Sequence, residues 1–383
     1  MPVQYTEPDG VEVLILSPRQ LSGFGTLIER LTKWGTSSFF AARTADRLLG
    51  GRAFDLVFAF GPAVTLRGLI GWAARRFRAP SYLYITDFFP YAARNVGLVP
   101  RGPIFAAARA LESRLVRRFD VVGCMSPANI RFLKTHYPAK TTQRSALLPI
   151  WGPTSQVGKV DRGRIRAKFG LPSTTPIALF GGQMSEGRGI EEILSAARLS
   201  GERGEALHFL LAGRGRLQPL VEAYVAEGRG NLTLLDQVPR GEYLTMAAAC
   251  DVGLVVTVAN TDIPTFPSRT IDYLRAGLPI AASVERTTDY GAFITAWGIG
   301  SAVEAGDPER LLDAVNAVLK GENDSDHYRD RGARMLREVF DVRKAAQRIL
   351  EQSFGSGSGV ACESIFYPWA GMTEGAEAPC NRI

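Results

Sequence analysis

The sequence predicts an α/β protein built from two doubly wound, Rossmann-like domains that face a central cleft. Short apolar segments of strand length alternate with segments of helix length along the chain, which is the pattern of βα units. A length of 383 residues suits two domains of ordinary size. Residues 149–159 mix Pro, Gly and polar residues between two regular patterns, so we place the boundary there. Ligands of such sheets bind at the carboxyl ends of the strands, beside the cleft.

Each half contributes its own set of elements. The strands predicted in the first half are Val11–Leu16, Leu56–Phe60, Tyr82–Ile85 and Val121–Met125, and its helices are Gly25–Lys33, Ser38–Leu49, Val64–Arg76, Gly102–Arg118 and Pro127–His136. The strands predicted in the second half are Ile177–Phe180, Phe209–Ala212, Leu232–Leu235, Val252–Val258 and Ile280–Ser283, and its helices are Ile190–Leu199, Leu217–Glu227, Arg240–Ala249 and Pro308–Leu319. We therefore divide the chain into residues 1–152, 160–335, a helix at 336–352 that returns toward the first domain, and an irregular tail at 353–383.

Composition and charge narrow the classes of function. No apolar run approaches the ~20 residues that span a bilayer, the N-terminus lacks a signal-peptide layout, and the four cysteines have no metal-ligand spacing. These features predict a cytoplasmic protein. Residues 1–155 hold 20 Lys/Arg against 9 Asp/Glu, although the whole chain is only +7. Such a basic half favours an anionic membrane face or a diphosphate lipid, since nucleic-acid motifs are missing; an ordinary solvated surface is the alternative.

The segment Phe266–Ile280 is the most informative part of the sequence. It predicts a short helix between two buried strands, begun by Pro267-Ser268 and ended by Gly277 and Pro279. The free N–H groups at its start, together with Arg269, suit a phosphate or diphosphate. Asp272 lies four residues after Ser268 on the same face, where it can accept hydrogen bonds from ribose hydroxyls. The segment therefore predicts a nucleotide site.

This segment resembles the C-terminal signature of family 4 glycosyltransferases, which have the GT-B fold. Family members show two acidic residues eight apart, with Phe and Gly between them, and then a small residue, Gly, any residue and Pro. Phe266, Asp272, Gly277 and Pro279 match, whereas Pro264 occupies the first acidic place. The residues Pro267-Ser268-Arg269 resemble the sequence at this place in a branch of the family that acts on bacterial envelope polysaccharides. The resemblance implies a retaining, metal-independent hexosyl transfer from a nucleotide-diphosphate sugar, most often of UDP, to a glycan or lipid-linked acceptor, with no further cofactor.

The same resemblance assigns roles to two glycine-rich turns of the second half. Gly181 and Gly182 follow a strand and permit close backbone approach to a ligand, and Arg188 would clamp the diphosphate. Arg214 lies in a Gly-x-Gly turn that borders the nucleotide in the family. A glycine-rich turn with a solvated arginine is the alternative at the first place, and a plain turn is the alternative at the second.

In the first half, the ends of two predicted strands hold further candidates. Asp87 falls in an Asp-x-x-Pro sequence like that of the envelope branch and would orient the acceptor hydroxyl or the transferring sugar; a turn cap is the alternative. Ser126 is a candidate sugar or phosphate contact, or simply a helix N-cap. Ser22-Gly-Phe-Gly25 partly matches paired glycines that touch the diphosphate in the family.

We thus expect a glycosyltransferase in which Arg188, Arg269 and Asp87 are catalytic. Its donor-binding residues would be Gly181, Gly182, Arg214, Phe266, Ser268, Asp272 and Ser126. Two other functions stay open: a non-catalytic scaffold of the same fold that binds a nucleotide sugar or glycan, and a GT-B-type sugar-nucleotide epimerase. Binding of donors without turnover would favour the scaffold, and stereochemical inversion of the sugar without an acceptor would favour the epimerase.

Overall fold

The computed structural model describes residues 3–7, 10–15, 26–49, 51–61, 63–95, 97, 99–236, 238–321 and 325–355. These residues form two compact units. The first unit contains the described residues up to 124, together with 133–148 and 349–355. The second unit contains residues 125–132 and the described part of 149–348. Within the described part of the chain, no helix is long and apolar enough to cross a membrane.

The first unit is built on a parallel sheet of four strands in consecutive order. The strands are β3 (Val57–Phe60), β4 (Ser81–Ile85), β5 (Val121–Cys124) and β6 (Arg144–Leu147). A separate antiparallel pair joins β1 (Val3–Thr6) to β2 (Glu12–Ile15). The helices are α1 (Thr26–Leu49), α2 (Arg67–Phe77), which follows a 3-10 turn at Ala63–Leu66, α3 (Tyr91–Asn95) and α4 (Pro103–Val116). Helix α5 (Pro127–His136) begins in the second unit and ends in the first. The core lies around β4, whose five residues are all buried.

In the first half, two predictions need correction and one strand was missed. The strand predicted at Val11–Leu16 is β2, which pairs with β1 and not with the parallel sheet. Its described side chains are exposed or half-buried, whereas a strand inside the sheet would be buried. The two helices predicted between residues 25 and 49 are one continuous helix, α1. The sequence analysis also missed β6, since Arg144 and Ser145 break the apolar run that marks a buried parallel strand.

The second unit is a complete doubly wound fold. Its six parallel strands lie in the order β12-β11-β10-β7-β8-β9. The strands are β7 (Ile177–Gly181), β8 (His208–Ala212), β9 (Leu232–Leu235), β10 (Val252–Val256), β11 (Ile280–Val284) and β12 (Gly300–Glu304). The helices are α6 (Arg162–Lys168), α7 (Ile190–Glu202), α8 (Gln218–Ala226), α9 (Arg240–Ala247), α10 (Arg269–Ala276), α11 (Tyr290–Ala296), α12 (Pro308–Lys320), α13 (Ser325–Glu338) and α14 (Val342–Phe354), the last of which ends in the first unit.

The five strands predicted for the second half are confirmed, with ends shifted by two residues at most. The edge strand β12 was missed because it is only half-buried and contains Gly, Ser and Glu. The single helix predicted at 336–352 is also wrong. The chain breaks between α13 and α14, where the Asp341 carboxylate accepts hydrogen bonds from the backbone N–H groups of Arg343 and Lys344 and so caps a new helix. Residues 356–383 lie outside the described part of the chain.

The strand order of the second unit locates its ligand site. The order reverses between β7 and β10, and the crevice at such a reversal, outside the strand carboxyl ends, is where doubly wound sheets bind ligands. These two strands pair over only two positions, Val252 with Ala178 and Gly253 with Leu179. Beyond these positions no further pairing joins β7 to β10, and the carboxyl edge is open to side chains from neighbouring helices.

Candidate functional site

An open groove of about 820 Å³ lies at the carboxyl edge of β7 and β8. Its floor comes from the two glycine turns after these strands, and its wall includes Arg240 and Tyr243 of α9 and Asp272 of α10. The volume is within the range of small-molecule sites. The groove therefore brings together Gly181, Gly182, Arg214 and Asp272, which the sequence analysis selected from three separate segments.

The two turns need glycine because their backbones touch. Gly182 has φ +133° and Gly213 has φ +147°, a conformation that side chains disfavour. A Cβ atom on Gly213 would lie 2.0 Å from the carbonyl oxygen of Gly182. The Gly182 N–H donates to the carbonyl oxygen of Ala212 (2.9 Å), and the Met184 N–H donates to that of Arg214 (2.9 Å). The floor is thus bare main chain that a ligand can approach closely.

Tyr273 occupies the point where β7 and β10 part. Its side chain is fully buried. Its hydroxyl lies 3.0 Å from the carbonyl oxygens of Leu179 and Leu254 and accepts a hydrogen bond from the Gly181 N–H (3.1 Å). These are backbone groups that strand pairing would otherwise satisfy. Helix α10 is therefore fixed to the sheet at the edge that carries the groove.

Arg269 begins α10, one turn before Tyr273. Its guanidinium lies over the Phe180 ring, 4.1 Å from the centroid, and it donates to the Tyr273 hydroxyl. Its Nη2 atom is 3.5 Å from the position of a Cβ on Gly182. Its Nη1 atom is buried and has no hydrogen-bond partner within the described residues. Buried donors are normally satisfied, so a buried Nη1 without a partner is an unusual feature of this guanidinium.

Asp272 lies on the groove wall between two arginines. One carboxylate oxygen is 3.5 Å from Nη2 of Arg240 and 4.0 Å from Nη1 of Arg275. Burial raises the pKa of Asp272, and both arginines oppose that rise. The side chain keeps 24 % of its surface exposed, so its oxygens remain accessible to hydroxyl groups of a ligand. The helix limits predicted around it are confirmed: α10 begins after Ser268 and ends at Gly277, whose φ is +77°.

Tyr243 and Arg240 are groove residues that the sequence analysis missed. A Cβ on Gly181 would lie 1.8 Å from the Tyr243 hydroxyl, which explains why residue 181 is glycine. Burial raises the pKa of Tyr243, and the neighbouring Tyr273 and Asp272 raise it further, so the phenol stays neutral and can donate a hydrogen bond. The order of elements could have revealed them. The helix predicted at 240–249 follows a strand, so its first residues must lie at the edge of the sheet where the strands have their carboxyl ends.

The two remaining arginine candidates differ in position. Arg214 lies on the groove wall, where its exposed guanidinium pairs with Asp236. Arg188 is exposed in the turn before α7, and its backbone N–H donates to the Ser185 carbonyl (3.2 Å). It is not among the residues that line the groove. Its role at a diphosphate stays a prediction.

Ser126 and Phe266 have structural surroundings. Ser126 is fully buried; its hydroxyl donates to Oδ1 of Asn129 (3.0 Å) and accepts from the Asn129 N–H (3.3 Å), as a helix cap does. Phe266 is 5 % exposed and packs edge-on against Tyr290 and Phe293. These contacts favour the capping alternative for Ser126 and give Phe266 a packing role.

Asp87 is exposed just after β4 in the first unit, so its role in orienting the acceptor stays a prediction. Ser22–Gly25 lies outside the described residues.

The loop that carries Pro264 is held by a carboxylate from the next strand. Glu285 follows β11 and is 1 % exposed. One of its oxygens accepts from the Thr265 N–H (2.7 Å), and the other accepts from the Thr257 hydroxyl. The carbonyl of Pro264 accepts from the Asn129 amide (2.8 Å). Although Pro264 itself is not acidic, a buried acid thus positions the loop before α10.

Comparison with known proteins agrees with this architecture. The chain superimposes on sucrose-phosphate synthase from Thermosynechococcus elongatus with a TM-score of 0.68 at 19 % identity, covering 91 % of this chain and 84 % of the other. It superimposes on HepE from Anabaena, solved in complex with UDP, with a TM-score of 0.64 at 14 % identity, covering 86 % and 84 %. In sequence, it is 26 % identical over 313 residues to the Escherichia coli protein named "Putative colanic acid biosynthesis glycosyl transferase WcaI", covering 79 % of this chain and 74 % of that protein.

The fold is GT-B, an α/β architecture with two units of parallel sheet and interleaved helices. Residues 161–335, which contain the whole groove, match the family model described as Glycosyl transferases group 1. The resemblance of this chain to family 4 glycosyltransferases, and to their envelope-polysaccharide branch, is therefore confirmed.

Proposed function

We propose that this protein is a glycosyltransferase that moves a hexose from a nucleotide-diphosphate sugar, most often of UDP, to a glycan or lipid-linked acceptor in envelope polysaccharide synthesis. The observation that carries the proposal is the Arg269 guanidinium, whose Nη2 lies beside the bare backbone of Gly182 and whose Nη1 is buried without a hydrogen-bond partner within the described residues. A diphosphate supplies the acceptor oxygens that this cation lacks. HepE, of the same fold, has been solved in complex with UDP, which supports this donor type.

Each candidate residue in or beside the groove has a proposed task. Arg269, Arg188 and the N–H groups at the start of α10 would neutralise charge that develops on the leaving diphosphate, which is the main catalytic effect available here. Asp272 would accept hydrogen bonds from the ribose, and Arg214 would border the nucleotide. We expect retention of anomeric configuration with no metal ion or further cofactor. The leaving phosphate would take the acceptor proton, and Asp87 would orient the acceptor.

One relative supports the proposed acceptor, and the charge of the first half of the chain supports the proposed location. WcaI is named for colanic acid biosynthesis, and this supports an envelope glycan as the product. The excess of 20 Lys/Arg over 9 Asp/Glu in residues 1–155 would hold a cytoplasmic enzyme at the inner face of the plasma membrane. A lipid-linked acceptor would be met at that surface.

Calorimetry with UDP tests the donor site directly. Arg269→Ala should weaken UDP binding by about 10- to 100-fold, because a charge-assisted hydrogen bond to a buried site contributes about 1.5–3 kcal/mol. Arg216→Ala is the matched control, since Arg216 follows the second glycine turn but is 79 % exposed and pairs with Glu186. UDP release from candidate donors, with and without a lipid-linked acceptor, then tests transfer. Equal UDP affinity in wild type and a folded Arg269→Ala variant would contradict the assignment.

A non-catalytic scaffold is the second candidate, favoured by Pro264 in the first acidic place of the signature. It predicts UDP binding with no turnover across a broad panel of donors and acceptors. Turnover of any one pair excludes it.

A further inference from the structure

A second groove, of about 550 Å³, lies in the first unit between α1 and α2. The aromatic side chains of Phe39 and Trp72 form part of its wall. Four guanidinium groups complete the wall, from Arg43, Arg67, Arg75 and Arg118. None of the roles assigned above uses this groove.

Two of these arginines converge on one point. The Nη1 atoms of Arg75 and Arg118 each lie 3.5 Å from the position that a Cβ on Gly71 would take. They are therefore separated by at most twice that distance, which a single phosphate group spans through two of its oxygens. Because Gly71 has no side chain, the space between the two cations stays open.

The positive charge of this groove is poorly compensated. Within the described residues, none of its four arginines forms an ion pair with a carboxylate, and Arg67 instead lies over the Phe39 ring at 5.4 Å. Asp46 is the acid on the wall, and its carboxylate accepts a hydrogen bond from Nε1 of Trp72 (2.8 Å). Like charges held this close repel one another unless an anion binds between them.

We propose that this groove binds the phosphate of an anionic lipid headgroup. The choice of a lipid as the source of the phosphate rests on the proposed membrane association. The groove would be the site through which the protein binds the membrane. Phe39 and Phe40 of α1 are 47 % and 39 % exposed, and exposed aromatic side chains beside arginines suit the boundary between headgroups and acyl chains. The forked guanidinium groups suit phosphate oxygens better than point charges would.

Vesicle flotation tests the proposal without any activity assay. The probe is phosphatidylcholine vesicles with and without phosphatidylglycerol. Arg75→Ala/Arg118→Ala should bind the anionic vesicles at least about tenfold more weakly than wild type, because two phosphate contacts are lost. The control is Arg76→Ala/Arg114→Ala, which removes two exposed charges from the same helix and from α4, outside the groove. It should lose less than about threefold.

Gly71→Ala gives a second, independent test. The added methyl meets both guanidinium groups at ordinary contact distance, so the protein should fold while the space for the phosphate is filled. Binding should again fall about tenfold although every charge is retained. UDP calorimetry on each variant should match wild type, which separates this site from the donor groove.

Three results would overturn the inference. If the wild-type protein does not bind anionic vesicles, it has no such site. If the groove variant and the control variant lose vesicle binding equally, the binding comes from the overall positive charge and not from the groove. Glycerol 3-phosphate that binds the groove tightly while vesicles do not compete means that the phosphate comes from a soluble molecule.

Discussion

Gly181→Ala tests how tightly the groove of the second unit is packed. The new Cβ would lie 1.8 Å from the hydroxyl oxygen of Tyr243, 2.6 Å from its Cζ and 2.9 Å from its Cε2. All three distances are shorter than any that packed carbon atoms adopt. Gly181 is not at positive φ, so backbone strain does not contribute. The cost of the substitution therefore comes from the tyrosine, which must rotate away.

The magnitude follows from overpacking. Forcing a methyl group into occupied space costs about 1–3 kcal/mol of unfolding free energy. Removing the half-buried ring by Tyr243→Ala costs a similar amount or more on its own. In the double variant the methyl meets no ring, so the two costs should not add. We expect the double variant to be more stable than the sum of the single effects by about 1–3 kcal/mol.

Denaturation in guanidinium chloride of the wild type, both single variants and the double variant measures this coupling. Each midpoint and slope gives an unfolding free energy, provided that the slopes agree. Additive costs, or a Gly181→Ala variant as stable as wild type, would show that Tyr243 does not lie over Gly181 and would remove it from the groove wall.

Three further predictions concern single side chains. Tyr243→Phe should weaken UDP binding by about 3- to 15-fold in calorimetry, since one neutral hydrogen bond contributes about 0.5–1.5 kcal/mol; unchanged affinity would mean that the hydroxyl makes no ligand contact. Because burial raises the pKa of Asp272, its charge destabilises the fold as pH rises from the ordinary aspartate range through the folded value. Asp272→Asn should therefore be more stable than wild type at neutral pH, with the difference vanishing at low pH, and a constant difference would contradict this. Arg166→Ala should cost about 3–5 kcal/mol in urea denaturation, because Arg166 is 4 % exposed and its loss removes the buried cation that pairs with Asp251. The exposed Lys168→Ala control should cost only ~0–1 kcal/mol, and an equally small cost for Arg166→Ala would show that the pair is not buried in solution.

The second unit was predictable because its strands are uniformly apolar. Strands that are buried on both faces leave a plain signal, and Ser268 and Gly277 mark the ends of α10 for physical reasons that the sequence displays. The position of Asp272 on the groove wall followed from helical spacing alone. Where a strand lies at an edge, as β12 does, the apolar signal weakens and the prediction fails.

The contacts between segments were not predictable. Nothing in the sequence places the Tyr243 hydroxyl over Gly181, or Glu285 under the loop of Pro264, because both depend on how distant elements pack. Ser126 shows a different limit: the sequence left a ligand contact and a helix cap as alternatives, and the contacts of its hydroxyl favour the cap. A short hydroxyl side chain at such a position serves either purpose, and only its neighbours decide between them.

The Tyr273 hydroxyl between β7 and β10 affects how much free energy a ligand would lose by moving helix α10. The Tyr273 hydroxyl contacts backbone groups of both strands. A movement of α10 would therefore break its hydrogen bonds with the Gly181 N–H and with the carbonyl groups of Leu179 and Leu254. The start of α10 is thus fixed in advance, so if the proposed donor binds there, little of its affinity is lost to rearranging this helix. Apo and donor-bound forms should accordingly superimpose closely within this part of the molecule.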